Sequence, residues 1–144
     1  MHDSLEITGK VDIKVFDNEG TLKTHHKIHN TVTTVGKEHI ADRFGLQAQD
    51  PMITMAIGTG TPSATALGTE VSRKEFQSQT SSGLTWTYVA QWSIDDDFAG
   101  TITEAGIFNA ESGLGGVMLC SSSFTSIVKA LNDSLVITWT ITIA

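Results

Sequence analysis

The sequence predicts an all-β domain with one short helix, built as a jelly-roll-like antiparallel β-sandwich. The 144-residue chain contains twenty threonines and only two prolines, and β-branched side chains favour a pleated backbone. Several segments alternate apolar and polar residues with a period of two. Turn sequences rich in Gly, Asp and Asn separate these segments, as expected for a sandwich of seven or eight strands.

The first two predicted strands form a hairpin. Apolar residues occupy alternate positions of VDIKVF (residues 11–16), and the run LKTHHKI (residues 22–28) follows after the turn sequence DNEG. Gly20 supplies the positive φ that such a turn requires.

The segment from 31 to 44 is the one predicted helix. Val35, His39 and Ile40 recur at helical spacing, and Gly45 ends the pattern. Gly36 costs about 1 kcal/mol of helix propensity, so either it permits close packing or the helix begins after it. His39 lies on the apolar stripe, and we expect it to be partly buried and hydrogen-bonded.

The clearest strand is LTWTYVAQWSI (residues 84–94), in which period two extends over eleven residues. The run EVSRKEFQSQ (residues 70–79) reads as a strand with a mostly polar face, which is expected of an edge strand or an interface. MITMAIG (residues 52–58) reads as a short buried strand. Three more strands follow in TITEAGIFNA, GVMLCSSSF and SLVITWTITIA. All three tryptophans, Trp86, Trp92 and Trp139, fall on apolar faces, so we expect them in the core.

Composition excludes several classes of function. The formal net charge of −7 argues against nucleic-acid binding, which needs a basic face. No apolar run approaches the length that crosses a bilayer, and no signal peptide is evident, so we expect a protein that is made in a cytoplasm and does not enter membranes. Residues 1–10 are predicted to form an N-terminal arm, and residues 11–144 a single β-sandwich domain with its helix near 31–44.

The stretch GTGTPSATALGTE (residues 58–70), called here the Gly/Thr loop, resembles a phosphate-binding loop at first sight. Such a loop needs a helix start and usually a lysine, but the next lysine is Lys74 and Pro62 interrupts the run. We therefore interpret it as a surface loop, in which Gly58 and Gly60 let the chain leave the sheet sharply.

Histidines and acids offer no recognisable metal site. His25 and His29 share a strand face, with His26 between them, but no cysteine or carboxylate lies at a typical zinc spacing. The run Asp95–Asp97 lacks the alternation of a calcium loop. We expect no metal and no cofactor.

Single reactive groups do not form a catalytic set either. Cys120 lies in an apolar, hydroxyl-rich segment and reads as a small buried hydrophobic residue. Glu104, in a strand among apolar residues, is predicted to bond a backbone group or to pair with Arg73 or Arg43. The sequence therefore predicts a protein that is not an enzyme.

Three phrases, MAIGTGTPSATALGTEVSR, ITEAGIFNAESGLGGVML and DSLVITWTITI, together with the opening hairpin and helix, resemble virion proteins of tailed bacteriophages. The resemblance extends from about residue 9 to residue 143. The proteins in question are small β-rich capsid decoration (cement) proteins and tail or collar fibre modules. Some of them carry an arginine after the ML pair, where this chain has LCSSSF.

The resemblance implies a non-enzymatic structural protein of the virion, usually a homotrimer, that stabilises the head by binding major capsid subunits. The alternatives are a tail, collar or neck component and a carbohydrate-binding host-attachment module. The Gly/Thr loop is then expected to act in assembly. The candidate interface residues are Leu5, Ile7, Gly58, Gly60, Thr61, Pro62, Arg73 and Phe76.

Overall fold

A computed structural model describes residues 4–45, 49–94, 98–111 and 115–144. Within them the chain forms two five-stranded antiparallel sheets and one helix, which confirms the all-β sandwich; the jelly-roll connectivity stays a prediction. The elements are β1 (Ile7–Phe16), β2 (Leu22–His29), β3 (Thr31–Val32), α1 (Thr34–Asp42), β4 (Thr54–Gly58), β5 (Glu70–Glu75), β6 (Ser78–Ser82), β7 (Thr85–Trp92), β8 (Gly100–Phe108), β9 (Met118–Lys129) and β10 (Ser134–Ile143). The first sheet has the order β2-β1-β10-β7-β6 and the second β3-β9-β8-β4-β5.

The N-terminal arm is shorter than predicted. Residues 7–10 belong to β1 and pair with residues 140–143 of β10, and Glu6 and Ala144 exchange two further backbone hydrogen bonds. The predicted boundary at residue 10 was wrong because Gly9 breaks the apolar alternation, although its backbone still pairs. The backbone N–H and C=O groups of the ten residues of β10 need hydrogen-bond partners on both sides of the strand. β1 supplies these partners on one side along the whole length of β10.

The segment from 70 to 79 is not one strand. The chain crosses from the second sheet to the first between Phe76 and Gln77: the amide of Phe76 donates to Ile53 O (3.1 Å), whereas the amide of Gln77 donates to Val89 O (2.7 Å). This crossing divides the predicted strand into β5 and β6. A further strand, β3, lies where the helix was predicted to begin, so the described residues contain ten strands.

The core lies between the inner faces of the two sheets, where period two places the apolar residues. Trp92 and Trp139 are fully buried, as predicted. Their indole N–H groups donate to Ser72 Oγ (2.8 Å) and Asn30 Oδ1 (3.2 Å). The other core residues include Val11, Ile13, Val15, Met55, Ile57, Ala90, Ile102, Ala105, Ile107, Cys120, Ile127, Leu135 and Ile137.

Helix α1 packs against β9 through a glycine contact. Thr33 caps the helix, since its hydroxyl accepts the amide of Gly36 (2.8 Å). A Cβ on Gly36 would lie 2.2 Å from the carbonyl oxygen of Leu119. Of the two possibilities that the sequence left open, close packing at Gly36 is therefore correct, because the helix begins before it.

Candidate functional site

The loop between β4 and β5 is held by one buried carboxylate. Glu104, on β8 and 0% exposed, accepts the backbone N–H groups of Gly60 (3.0 Å), Thr69 (2.7 Å) and Gly68 (2.8 Å). The prediction that Glu104 bonds a backbone group is confirmed, and a pair with Arg43 or Arg73 is not its role. The carboxylate fixes both ends of the loop to the sheet, so the loop leaves β4 with a defined direction.

The same loop folds back over the outer face of the second sheet. Leu67 is buried there with Ala56, Phe108 and Met118. Gly58 is required for close approach, because a Cβ would lie 2.4 Å from both Glu104 Oε1 and Thr69 O. The sequence predicted that the chain leaves the sheet at Gly58 and Gly60. At Gly58 the physical reason is that no side chain fits in this crowded position.

The structure divides the eight predicted interface residues among three places. Gly58, Gly60, Thr61 and Pro62 belong to the Gly/Thr loop, where Thr61 is exposed and Gly58 is buried. The tip of this loop borders a hydroxyl-lined hollow of about 460 Å³ against β3 and β9, whose other residues include Thr31, Thr34 and Ser121–Ser123. Leu5 and Ile7 lie far from the loop in sequence, beside helix α1.

The third place is internal. Arg73 forms a bidentate ion pair with Glu70 (2.6 and 3.0 Å), donates to Ala110 O and Gly115 O, and stacks 3.8 Å from the ring centroid of Phe108. Its side chain is only 5% exposed, which leaves little surface for a partner. Phe76 is half-buried against the ring of Tyr88, with centroids 4.6 Å apart. Both residues therefore have structural roles in the described chain.

The largest departure from the sequence analysis is an exposed apolar surface at the α1 end of the sandwich. Leu5, Phe44, Leu84 and Trp86 are 63%, 81%, 65% and 45% exposed. They are contiguous, because neighbouring hollows share their lining residues. We call these four residues the apolar end. Monomers rarely leave such clusters in water without a function.

Trp86 corrects one prediction, since it lies on the inner face of β7 but outside the core. It follows the hairpin turn at Gly83, where the two sheets no longer cover each other, and it stacks on Tyr88 with ring centroids 6.2 Å apart. Of the apolar end, the prediction had included Leu5 alone. Phe44, at the far end of the predicted helix and directly before Gly45, was the available signal.

A groove of about 350 Å³ opens beside the apolar end, between α1 and the β6–β7 hairpin. Its lining residues are His39, Ile40, Arg43, Phe44, Pro51, Met52, Gln79, Trp86, Tyr88, Leu119 and Ile143. Burial raises the pKa of Tyr88 to about 12, so its hydroxyl is neutral at physiological pH. Among the described residues that line the groove, Arg43 is the one charged side chain and none is a carboxylate.

His39 is buried, as predicted, with 6% of its surface exposed. Its ring has a side-chain hydrogen bond with Gln49, but its Nδ1 atom has no hydrogen-bond partner among the described residues. Burial, together with the neighbouring Arg43 guanidinium, lowers the pKa of His39, so the ring is neutral at pH 7. A buried polar atom without a partner is uncommon and calls for an explanation.

The remaining candidate groups have simple surroundings. His25 Nε2 lies 2.8 Å from Asp12 Oδ1, and no group of three His, Cys, Asp or Glu side chains able to hold a metal occurs in the described residues. Cys120 is fully buried, as predicted, and burial raises the pKa of its thiol well above the usual value. The run Asp95–Asp97 lies outside the described residues.

Comparisons with protein-family models, with curated proteins and with solved structures returned no match to this chain. Of the segments that the structure describes, none forms a helix with the length and apolar character needed to cross a membrane.

Proposed function

We propose that the protein is a non-enzymatic capsid decoration protein of a tailed bacteriophage, which stabilises the head by binding major capsid subunits as a homo-oligomer, with a trimer favoured. The observation that carries the proposal is the apolar end. Four large apolar side chains, Leu5, Phe44, Leu84 and Trp86, are exposed at one end of a small domain. A contact with another protein would remove them from water, with about 25 cal/mol gained per Å² of apolar surface buried.

The Gly/Thr loop supports the same proposal. A loop fixed by three hydrogen bonds to Glu104 loses little conformational entropy when it meets a partner. Its exposed tip, residues 63–66, carries no charge, so a shell protein would not need to desolvate an ion there. The sequence phrases that resemble virion proteins include this loop.

The first experiment measures oligomeric mass and head binding together. Light scattering on the purified 15.4 kDa chain should give a multiple of the monomer mass. The protein should also co-sediment with expanded empty heads of the phage that encodes it. A protein that stays monomeric and does not co-sediment with those heads would rule the proposal out.

Substitution at the apolar end makes the test specific. Phe44→Glu should weaken head binding or oligomer formation at least tenfold, because a carboxylate would have to enter an apolar contact. Leu131→Glu is the matched control, since Leu131 is also an exposed large apolar residue (55% exposed, against 81% for Phe44) but lies in the β9–β10 turn. Equal effects of the two variants would show that the apolar end is not the surface used in assembly.

A tail, collar or neck location is the alternative within the same class. The same apolar end would then contact a fibre or neck protein. Immunogold labelling of intact particles distinguishes the two, with label on the tail favouring this alternative.

One observation favours a second class, a carbohydrate-binding attachment module. Trp86 is 45% exposed, and it pairs across the strand with Ser81, so an aromatic face lies beside hydroxyl groups. Sugars stack on such faces. A glycan array that gives specific hits, lost in Trp86→Ala but retained in Thr87→Ala on the opposite face, would favour this class.

A further inference from the structure

The edge of the first sheet at β6 differs from every other sheet edge that the structure describes. The β2 edge carries Lys23 and Lys27, the β5 edge carries charges at both ends, and β3 is two residues long. Beyond β3, the edge of β9 is interrupted by a bulge where Ile102 pairs with Ile127 but Glu104 pairs with Ser123. Charge, short length and bulges all prevent unwanted strand pairing.

The β6 edge has none of these protections. Its sequence, SQTSS (Ser78–Ser82), contains no charge and no proline, every residue is exposed, and its register with β7 is unbroken. As the last strand of its sheet, β6 presents one row of backbone N–H and C=O groups away from β7. Such a row is able to accept another strand.

The groove lies on the core side of this same edge. Gln79 pairs with Tyr88, and Ser81 pairs with Trp86. Directly opposed residues share a face, and Gln79 itself lines the groove. A strand added to β6 would therefore direct every second side chain toward the groove side. At about 350 Å³, the groove lies within the range of volumes that binding pockets occupy.

His39 is a buried polar side chain in the lining of the groove. Its unpartnered Nδ1 belongs to a side chain that is 94% buried and lines the groove. A neutral imidazole nitrogen either donates or accepts a hydrogen bond, depending on its tautomer. The Nδ1 atom itself is buried beneath the groove surface, so an occupant would reach the ring through the other atoms of the groove lining.

We propose that the β6 edge and the adjoining groove form a strand-addition site for an extended, uncharged segment of a partner protein with apolar side chains at alternate positions. Charge complementarity selects this occupant, because the edge is neutral and Arg43 is the one charged side chain among the described residues that line the groove. A second copy of this chain fits poorly. Its own β6 would offer only Gln79 and Ser81 toward the groove, and its β2 and β5 edges are charged.

The inference deepens the proposed function and rests on it only for the identity of the partner. In a capsid decoration protein, the occupant would be an extended segment of the shell protein. The site itself is tested with peptides, so its failure and the failure of head binding are separate results.

The test uses three capped synthetic peptides and amide NMR spectra of the whole protein. One peptide, Ser-Leu-Thr-Val-Thr-Leu-Ser, alternates apolar and polar residues. The second, Ser-Ser-Thr-Thr-Val-Leu-Leu, has the same composition in blocks. The third copies residues 76–82 of this chain. We expect the alternating peptide to shift the amides of residues 78–82, slow their hydrogen exchange, and move the ring nitrogen signals of His39. The other two should bind at least tenfold more weakly.

A pair of variants on one strand provides the control. Ser81→Lys places a cation beside Trp86 on the groove side and should weaken binding of the alternating peptide at least tenfold. Thr80→Lys places the same charge on the opposite face, since Thr80 pairs with Thr87, and should change binding less than threefold. Acrylamide quenching of Trp86, the half-exposed tryptophan, should fall when the peptide binds.

Three results would overturn the proposal. The first is the absence of any change in residues 78–82 at millimolar concentrations of the alternating peptide. The second is equal binding of the block peptide, which would mean non-specific apolar contact. The third is tightest binding by the copied peptide, together with a concentration-dependent mass that Ser81→Lys abolishes, which would make the occupant a second copy of the chain.

Discussion

Replacing Glu104 should destabilise the protein locally, at the Gly/Thr loop. In the wild type, one carboxylate oxygen accepts Gly60 N and Thr69 N, and the other accepts Gly68 N. In Glu104→Gln the amide keeps one oxygen for the first two donors and turns an NH₂ group toward the third. One charge-assisted hydrogen bond is lost and two become neutral ones. Hydrogen bonds to charged groups contribute about 1.5–3 kcal/mol and neutral ones about 1 kcal/mol.

The expected decrease in the free energy of unfolding is therefore about 3 kcal/mol for Glu104→Gln and about 5 kcal/mol for Glu104→Ala. For a chain of this size, 3 kcal/mol lowers Tm by about 10 °C. Urea unfolding monitored by tryptophan fluorescence measures the loss. Amide hydrogen exchange should locate it, with the amides of Gly60, Gly68 and Thr69 exchanging before those of the core strands.

A nearby carboxylate gives the control for this prediction. Glu75 is an exposed acid at the end of β5, and Glu75→Gln should change stability by less than about 0.5 kcal/mol. If Glu104→Gln is as stable as Glu75→Gln, or if the three loop amides exchange no faster than in the wild type, the assignment of Glu104 as the group that holds the loop is wrong.

Three further predictions follow from the internal polar contacts. Arg73→Lys should cost about 2 kcal/mol in urea unfolding, because a single ammonium cannot reproduce the bidentate pair with Glu70; a loss below 0.5 kcal/mol would contradict this. A hydrogen bond from Lys23 (2.7 Å) holds the pKa of the Asp133 carboxyl below its usual range. The ionised carboxylate therefore stabilises the folded protein fully above the unfolded pKa of about 3.9, and this stabilisation is lost as the pH falls through the lower folded pKa. The stability difference between wild type and Lys23→Met should thus be largest above about pH 5 and shrink in acid, and a difference independent of pH would refute the pairing. Because the Cys120 side chain is fully buried, an aromatic disulfide reagent should label it only as fast as the protein unfolds; labelling at the rate of a free thiol would show that it is accessible.

Much of the fold could be predicted because a half-buried strand produces a local alternation of apolar and polar residues in the sequence. Alternation with period two identified both β7 and β10, and it located the buried faces that hold Trp92 and Trp139. The same local pattern failed at Gly9, where β1 continues through a residue without a side chain. It failed again at Phe76, where the chain changes sheets inside an apparently continuous strand. In both cases the partner strand decides the outcome.

In the candidate site, too, the local sequence predicted the individual residues but not the contacts between them. The Gly/Thr loop was evident from its glycines, and Glu104 from its unusual position among apolar residues, but the bonds between them join residues 35 to 44 positions apart. Trp86 has the same alternating pattern as Trp92, yet one is half exposed and the other is buried. The pattern gives the face of the sheet on which a side chain lies, and only the packing of the second sheet decides whether that face is covered.

By itself, then, the sequence determined the period-two strands, most of the core faces, the turn at Gly20 and the charge balance. The tertiary structure alone decided which strands meet, down to the pairing of Ile7 with Ile143 at opposite ends of the chain. It also decided that β6 is an unprotected edge beside an apolar groove. The physical reason is that alternation depends on neighbours two residues apart, whereas pairing, coverage and exposure depend on contacts between residues that are distant in the chain.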